Sequence, residues 1–336
     1  METVLVTGAN GEIGHVLLPA LAKTQKFEVA AIDQNNLDEA LIPFVKTFKK
    51  GSILNKKLLN FLLSKQKVKI VFHLAAILST LAERNPEKAH IVNVNGTSTL
   101  LEFLNKKAAK EKHPIKFIFP STIAVYGLPN LETKNKSGDL KEDQYNSPIT
   151  MYGINKLYCE YLGIYYSSNY QLLNTNIKKY IDFRCLRFPG LISALTIPTG
   201  GTSDYAPEMI HSAAKGEMYE SFVRPDTTLP FMVMPDAVKA LIQLSDAPKE
   251  NLSQNVYNVT SFSTTAQQIE EIIKKVFPES EVHYKPDPAR QKIVDSWPAA
   301  INDSTAQTDW GWKADYDMEK AFSEYLIPEI QNRYKS

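Results

Sequence analysis

Short apolar runs and helical leucine spacings alternate along the first half of the chain. Val4-Leu5-Val6-Thr7 stops at the turn Gly8-Ala9-Asn10-Gly11-Glu12-Ile13-Gly14, after which Leu17, Leu18 and Leu21 recur at helical intervals. Phe27 to Ile32 reads as a second strand closed by Asp33, and Val45 to Phe48 as a third. Asn55 to Gln66 places Leu58, Leu59, Leu62 and Leu63 on the buried side of a helix, and Lys69 to Leu74 is a buried strand ending in Ala75-Ala76. A long helical segment covers Pro86 to Ala109, and Ile115 to Phe119 is a fifth strand. Such alternation requires an α/β fold, a doubly wound parallel sheet with helices on both faces and the ligand site at the carboxyl ends of the strands.

The pattern then loosens. Asn130 to Ser147 is polar and without apolar period, which reads as a surface loop. Ile181 to Phe188 is a strand broken by Pro189-Gly190, Pro198 to Tyr205 a flexible, hydroxyl-rich loop before a helix, and Pro225 to Pro235 a further interruption. Ala266 to Phe277 is helical, Glu281 to Tyr284 a short strand, and Met318 to Ile327 a closing helix.

Length and charge narrow the ligand. A chain of 336 residues fits one large α/β unit or two closely joined domains. A net charge of +1 offers nothing to nucleic acid or an anionic membrane, and Pro, Arg or Lys breaks each apolar run short of spanning length, so a small or medium-sized ligand is expected. The two cysteines, Cys159 and Cys185, lie in apolar surroundings without metal-ligand spacing and read as buried thiols in a reducing compartment. With a strand at its start the chain leaves no room for a leader; the expectation is cytoplasmic, or mitochondrial if a leader has been removed.

Three local patterns carry chemistry. Glycines in the strand-turn-helix let the backbone approach a pyrophosphate, and the N–H groups at the helix start attract its charge. Asp33, nineteen residues beyond Gly14, can accept bonds from both adenosine ribose hydroxyls and repels the extra phosphate of NADP; Gln34, Asn35 and Asn36 supply no compensating cation, so NAD is expected. Small residues after Leu74 allow close approach to the dinucleotide, whereas His73 reads as a packed, hydrogen-bonded histidine. Tyr152 and Lys156, four apart, project from the same side of a helix. For a phenol to act as base near neutrality its pKa must fall by roughly 3 units, about 4 kcal/mol, and one cation at ~4 Å with an effective dielectric near 20 supplies about that much.

The turn, the hydroxyl pair Ser121/Thr122 and Tyr152/Lys156 thirty residues later form an ordered set that resembles the short-chain dehydrogenase/reductase superfamily. Phe119-Pro120-Ser121-Thr122-Ile123-Ala124-Val125-Tyr126-Gly127 looks like the S-S/T-x-x-x-Y-G element of its extended, nucleotide-sugar epimerase-like branch. Arg187 to Ser193, Gly200 to Ala206, Leu229 to Ala237 and Asp295-Ser296-Trp297-Pro298 are similar to the L-threonine 3-dehydrogenases of that branch. The resemblance implies a Rossmann domain over 1–188, with 230–260 returning to it, and a smaller α/β substrate domain over 189–336. It implies Thr122, Tyr152 and Lys156 as catalytic hydroxyl, base and supporting cation, the latter two also touching NAD. It further implies Gly8, Gly11, Gly14, Asp33, Ser52, Ile53, Leu74, Ala75, Ala76 and Asn93 around NAD, and Ser79, Thr122, Tyr152, Thr202, Ser203 and Trp297 at L-threonine.

The implied reaction oxidises the C3 hydroxyl to give 2-amino-3-oxobutyrate, in a homodimer packed through the Tyr152 and Pro86–Ala109 helices. Ser52 stands where these enzymes often carry an Asp, and Ser203 where they often carry a second Thr. Other readings stay open: Trp297 as core, like Trp310 and Trp312; Thr202 and Ser203 as a helix cap; Asp236, by preference, as the cap of Ala237 to Leu244. His113 and His211 have no assignment. The rivals for the whole chain are a nucleotide-sugar epimerase/dehydratase, which would need Arg224 and Arg290 for a second diphosphate, and a non-catalytic NAD-sensing protein.

Overall fold

The computed structural model describes residues 2–174, 176–198 and 200–335. Its strands are β1 (Thr3–Thr7), β2 (Glu28–Asp33), β3 (Thr47–Lys50), β4 (Val68–His73), β5 (Ile115–Thr122), β6 (Asp139–Leu140), β7 (Ile181–Phe188), β8 (Gly190–Ile192), β9 (Tyr219–Ser221), β10 (Thr228–Val233), β11 (Val256–Asn258), β12 (Phe262–Thr265), β13 (Val282–Tyr284) and β14 (Ala300–Ile301). Seven of them form one parallel sheet in the order β11-β7-β5-β4-β1-β2-β3. The chain winds outward in both directions from β1 and β4, so a crevice opens between their carboxyl ends.

Both faces of the sheet are covered, which is why its strands read as near-continuous apolar runs. Val4 and Val6 join one layer with Leu17, Leu18 and Leu21 of helix Glu12–Thr24 and Leu241 and Leu244 of helix Met234–Asp246. Leu5 joins the other, with Leu59 and Leu62 of helix Lys56–Ser64, Leu100 and Leu104 of helix Gly96–Glu111, and Cys159 of helix Met151–Ile164. A second core gathers Tyr205, Met209, Phe231, Phe322 and Trp297 around the three-stranded sheet β12-β10-β8. Both cysteines are buried and free. Among the described residues no helix is long and apolar enough to cross a membrane.

Three expectations need correction. The interruption expected over Pro225 to Pro235 is strand β10; Pro230 fits there because β8 pairs only with Phe231, Met232 and Val233, leaving one side of the strand with no donor to supply at the proline. The loop expected over Asn130 to Ser147 contains helix Leu131–Lys136, capped by the Asn130 side chain, and β6; six residues are too few to show a helical period. The closing helix continues through a π turn, Ala321–Leu326, into helix Ile327–Tyr334. Thr199, within the loop expected over Pro198 to Tyr205, lies outside the described residues.

Candidate active site

The glycine turn is closed against β4. Gly8 has φ +69°, and a Cβ there would stand 2.6 Å from the Ala75 nitrogen. At Gly14 it would meet the Ala9 carbonyl oxygen at 2.0 Å, so neither position accepts a side chain. Thr7 O accepts the Leu74 N–H at 3.0 Å and Thr7 Oγ1 accepts the Ala75 N–H at 3.3 Å, which fixes the end of β4 beside the turn. Helix Glu12–Thr24 starts at Gly11 without a side-chain cap, leaving its leading N–H groups to an anion. Asp33 accepts the Asn10 N–H at 3.0 Å and the Asn35 N–H at 2.9 Å, placing its carboxylate at the rim of the turn.

The remaining positions expected around the dinucleotide are mostly engaged in shaping it. Ser52 Oγ accepts the Leu54 N–H at 3.2 Å, and buried Ile53 fills the space that a Cβ on Gly96 would need. Ala75 and Ala76 are half-buried. Asn93 bonds the backbone of Ile77 in both directions, at 2.7 and 2.9 Å, from within a π turn, Ile91–Asn95. His73 is the packed histidine expected: its ring bonds Thr7 at 2.7 Å and Thr97 at 2.9 Å, and burial pulls its pKa down to about 3.

At the end of β5 two successive residues bond helix Met151–Ile164 and a third begins the turn that follows. Pro120 O accepts from Lys156 Nζ at 2.6 Å, Ser121 Oγ donates to Glu160, and Thr122 begins a turn in which its own Oγ1 accepts the Ala124 N–H at 3.2 Å. The helix is capped by Thr150, and Gly153 lets it approach: a Cβ there would lie 2.0 Å from the Ala124 carbonyl oxygen. Lys156 Nζ sits 4.4 Å from the centre of the Phe119 ring and 5.7 Å from that of Tyr152. Burial pulls the ammonium down to about 8 and pushes the phenol up. Lys156 by itself therefore does not produce the depressed phenol expected from the spacing; desolvation outweighs it.

A buried network supports this face. Arg187 grips Glu160 through Nε at 3.0 Å and Nη2 at 2.7 Å, and donates through Nη1 to Glu142 O at 2.8 Å. Glu142 in turn accepts the Asn258 N–H, and Asn258 accepts from Tyr126 OH at 2.7 Å. Glu160 and Asn258 carry no role among the expectations from the sequence. The signal for Glu160 was present, one helical turn beyond Lys156 on the same face; Asn258, 116 and 132 residues from Glu142 and Tyr126, left none.

The residues expected at the substrate meet in part. Thr202, buried, donates its N–H to Ser79 Oγ at 3.4 Å, joining the two halves of the chain. Ser203 lies against Gly190, two residues beyond Phe188, the register partner of Thr122. Neither Thr202 nor Ser203 caps helix Tyr205–Lys215, whose cap position is Asp204. Trp297 is 4% exposed within the second core, against which Tyr152 packs. Asp236 is no cap: helix Met234–Asp246 already starts at Met234, and its carboxylate accepts from Asp315 N, Tyr316 N and Ser261 Oγ at 2.9, 3.2 and 3.0 Å. Arg224 is held by Asp295 and Asp226, and Arg290 donates to Gly201 O, so neither guanidinium is set aside for a second diphosphate. A pocket of ≈ 520 Å³ bounded by Leu128, Ile149, Arg224, Pro288 and Asp295 is lined by none of the residues expected at NAD or L-threonine.

A parallel sheet with a glycine turn after β1 and an acid at the end of β2 defines a dinucleotide-binding fold, and the chain belongs to the NAD dependent epimerase/dehydratase family, whose pattern matches residues 4–260. It is 35% identical over 329 residues to the mitochondrial L-threonine 3-dehydrogenase of Bos taurus, covering 97% of this chain and 82% of that protein. The structure of L-threonine dehydrogenase from Clostridium difficile superposes with a TM-score of 0.87 at 32% identity, over 100% of this chain and 99% of that one. A monomeric L-threonine 3-dehydrogenase from a metagenome gives 0.84 at 35% identity, over 99% and 100%. The protein is an NAD-dependent oxidoreductase, and Gly8, Gly14 and Asp33 as placed here fit that cofactor.

Proposed function

We propose that the protein oxidises the C3 hydroxyl of L-threonine to 2-amino-3-oxobutyrate. The observation that supports this reading is the Ser79–Thr202 contact, which joins hydroxyl-bearing segments of both halves, with Ser203 against Gly190, two residues beyond the register partner of Thr122. Full-length similarity to L-threonine 3-dehydrogenases supports it.

NAD supplies the hydride acceptor and, in its oxidised form, a positive charge. Gly8, Gly11 and Gly14 would hold its pyrophosphate and Asp33 its adenosine ribose, Ser52, Ile53, Leu74, Ala75 and Ala76 would contact the rest of it, and Asn93 fixes the loop at Ile77. Thr122 positions the substrate alcohol, Lys156 stabilises Tyr152 as the phenolate, and that phenolate takes the hydroxyl proton and becomes the neutral phenol as the C3 hydrogen leaves with its electron pair. Ser79, Thr202 and Ser203 take the amino acid's polar groups, and Trp297 closes the pocket from the second core.

A second copy of the chain is the expected partner. Ile154, Tyr158, Tyr161 and Tyr165 form an exposed apolar stripe along the catalytic helix, and Ile91 adds to it from the neighbouring one.

Absorbance at the NADH band decides the substrate. L-threonine should give the signal, with allo-threonine, serine and 3-hydroxybutyrate weaker. Tight NAD binding without turnover on any of them would overturn the reading in favour of an NAD sensor.

A further inference from the structure

We propose that Thr80 and Arg290 are positioning residues, two brackets from opposite halves of the chain that fix the 200–204 turn over the reaction centre. The proposal deepens the reading above and rests on it. Thr80 Oγ1 donates to Gly200 O at 2.7 Å, and Arg290 Nη2 donates to Gly201 O at 2.7 Å. Holding two successive carbonyls fixes the orientation of the peptide between them, and therefore the direction in which the next residue, Thr202, presents its hydroxyl. The turn needs such holding. Gly200 has φ +86° with open space around its Cβ position, so sterics alone leave it free. Its internal bonds, Gly201 N–H to Asp204 Oδ2 at 2.6 Å and Asp204 N–H to Gly201 O at 3.2 Å, close the turn at Asp204 and leave Gly200 O to Thr80, and the Thr202–Ser79 bond at 3.4 Å is long.

Arg290 is built for the task from its own side. Asp287 caps its helix, Pro288–Asp295, and the guanidinium carbon stands 3.1 Å from the centre of the Phe222 ring. Its Nε is buried with no hydrogen-bond partner among the described residues. A buried unpaired donor costs stability, so a guanidinium kept there to hold one loop carbonyl is better explained by placement than by folding. Thr80 stands on the six-residue helix Ser79–Arg84, next to Ser79. The brackets therefore join the two residues expected at the amino acid, Ser79 and Thr202, into one unit.

The test uses the full-length, NAD-loaded protein with Thr80→Val, Thr80→Ser, Arg290→Met and Arg290→Lys. Hydrogen exchange of the 200–206 amides should accelerate in Thr80→Val and Arg290→Met, and KM for L-threonine should rise roughly tenfold, the loss of about one hydrogen bond. NAD affinity and Tm should stay near the parent values, and the Ser and Lys variants should recover most of the KM. Unchanged exchange in both variants, or faster exchange with an unchanged KM, would overturn the proposal. Parent protein inactive on threonine would remove the substrate assignment alone, and exchange would then decide the brackets by itself.

Discussion

Tyr152 is caught between opposing demands. Burial pushes its phenol up, whereas work as a base near neutrality asks for a shift of roughly 3 units downward, about 4 kcal/mol. Lys156, itself drawn down to about 8 and bonded to Pro120 O, supplies part of that at most, so ionisation depends on the positive charge brought by the oxidised cofactor. Tyr152→Phe should therefore lower kcat by about 10²–10⁴-fold while leaving NAD affinity within about twofold. Stopped-flow NADH formation beside fluorescence titration of NAD checks both, and near-parent turnover would end the assignment. The pair was legible because its spacing is local. Asp236 was misread for the opposite reason: its donors, Asp315 and Tyr316, come from 79 and 80 positions away, and a first-turn aspartate looks like a cap when nothing distant is visible.

Among the elements, helix Met151–Ile164 is defined by what lies on either side of it. Gly153 admits the Ala124 carbonyl on one flank, and Glu160 meets Arg187 and Ser121 on another, so the strand end bearing Thr122 is locked to the helix bearing Tyr152. With side chains 2% and 4% exposed, the Glu160–Arg187 pair contributes through the damage its disruption does. Glu160→Gln leaves the guanidinium uncompensated and should cost roughly 3–5 kcal/mol in urea unfolding. A loss below about 1 kcal/mol would show that the pair is solvated and dispensable. Most elements of the parallel sheet were readable because double-sided burial makes their strands apolar throughout. Strand β10 was not, since Pro230 reads as a breaker until β8 is known to stop at Phe231, and helix Leu131–Lys136 was not, since its stability comes from the Asn130 cap and from Lys134 reaching Val294 O at 3.0 Å.

At the scale of the whole molecule, two surfaces remain to be accounted for, one apolar and one buried. Tyr158 and Tyr161 are 52% and 61% exposed on helix Met151–Ile164, and replacing both with Asp should convert a dimer to monomers in sedimentation velocity; a parent protein already monomeric, like the metagenomic relative, would remove the partner. The buried counterpart is a pair of histidines that tie layers together. His73 joins β1 and β4 to helix Gly96–Glu111 through Thr7 and Thr97, with Lys156 the charge facing it, and His211 joins helix Tyr205–Lys215 to Tyr334, with Arg333 and Lys215 nearby. Burial holds His73 at about 3 and His211 at about 4, below the ordinary 6.5, so the unfolded chain binds protons that the native one refuses. Their stability is fully present above pH 6.5 and is lost as pH falls toward 4, with a limiting slope of about 1.4 kcal/mol per pH unit for each ring. Urea unfolding between pH 7 and 4.5 should show this decline, and His211→Phe should reduce its slope by about one proton even though the Tyr334 bond is lost. A free energy of unfolding that stays level from pH 7 to 5 would mean that both rings titrate in the folded protein as they do in the unfolded chain.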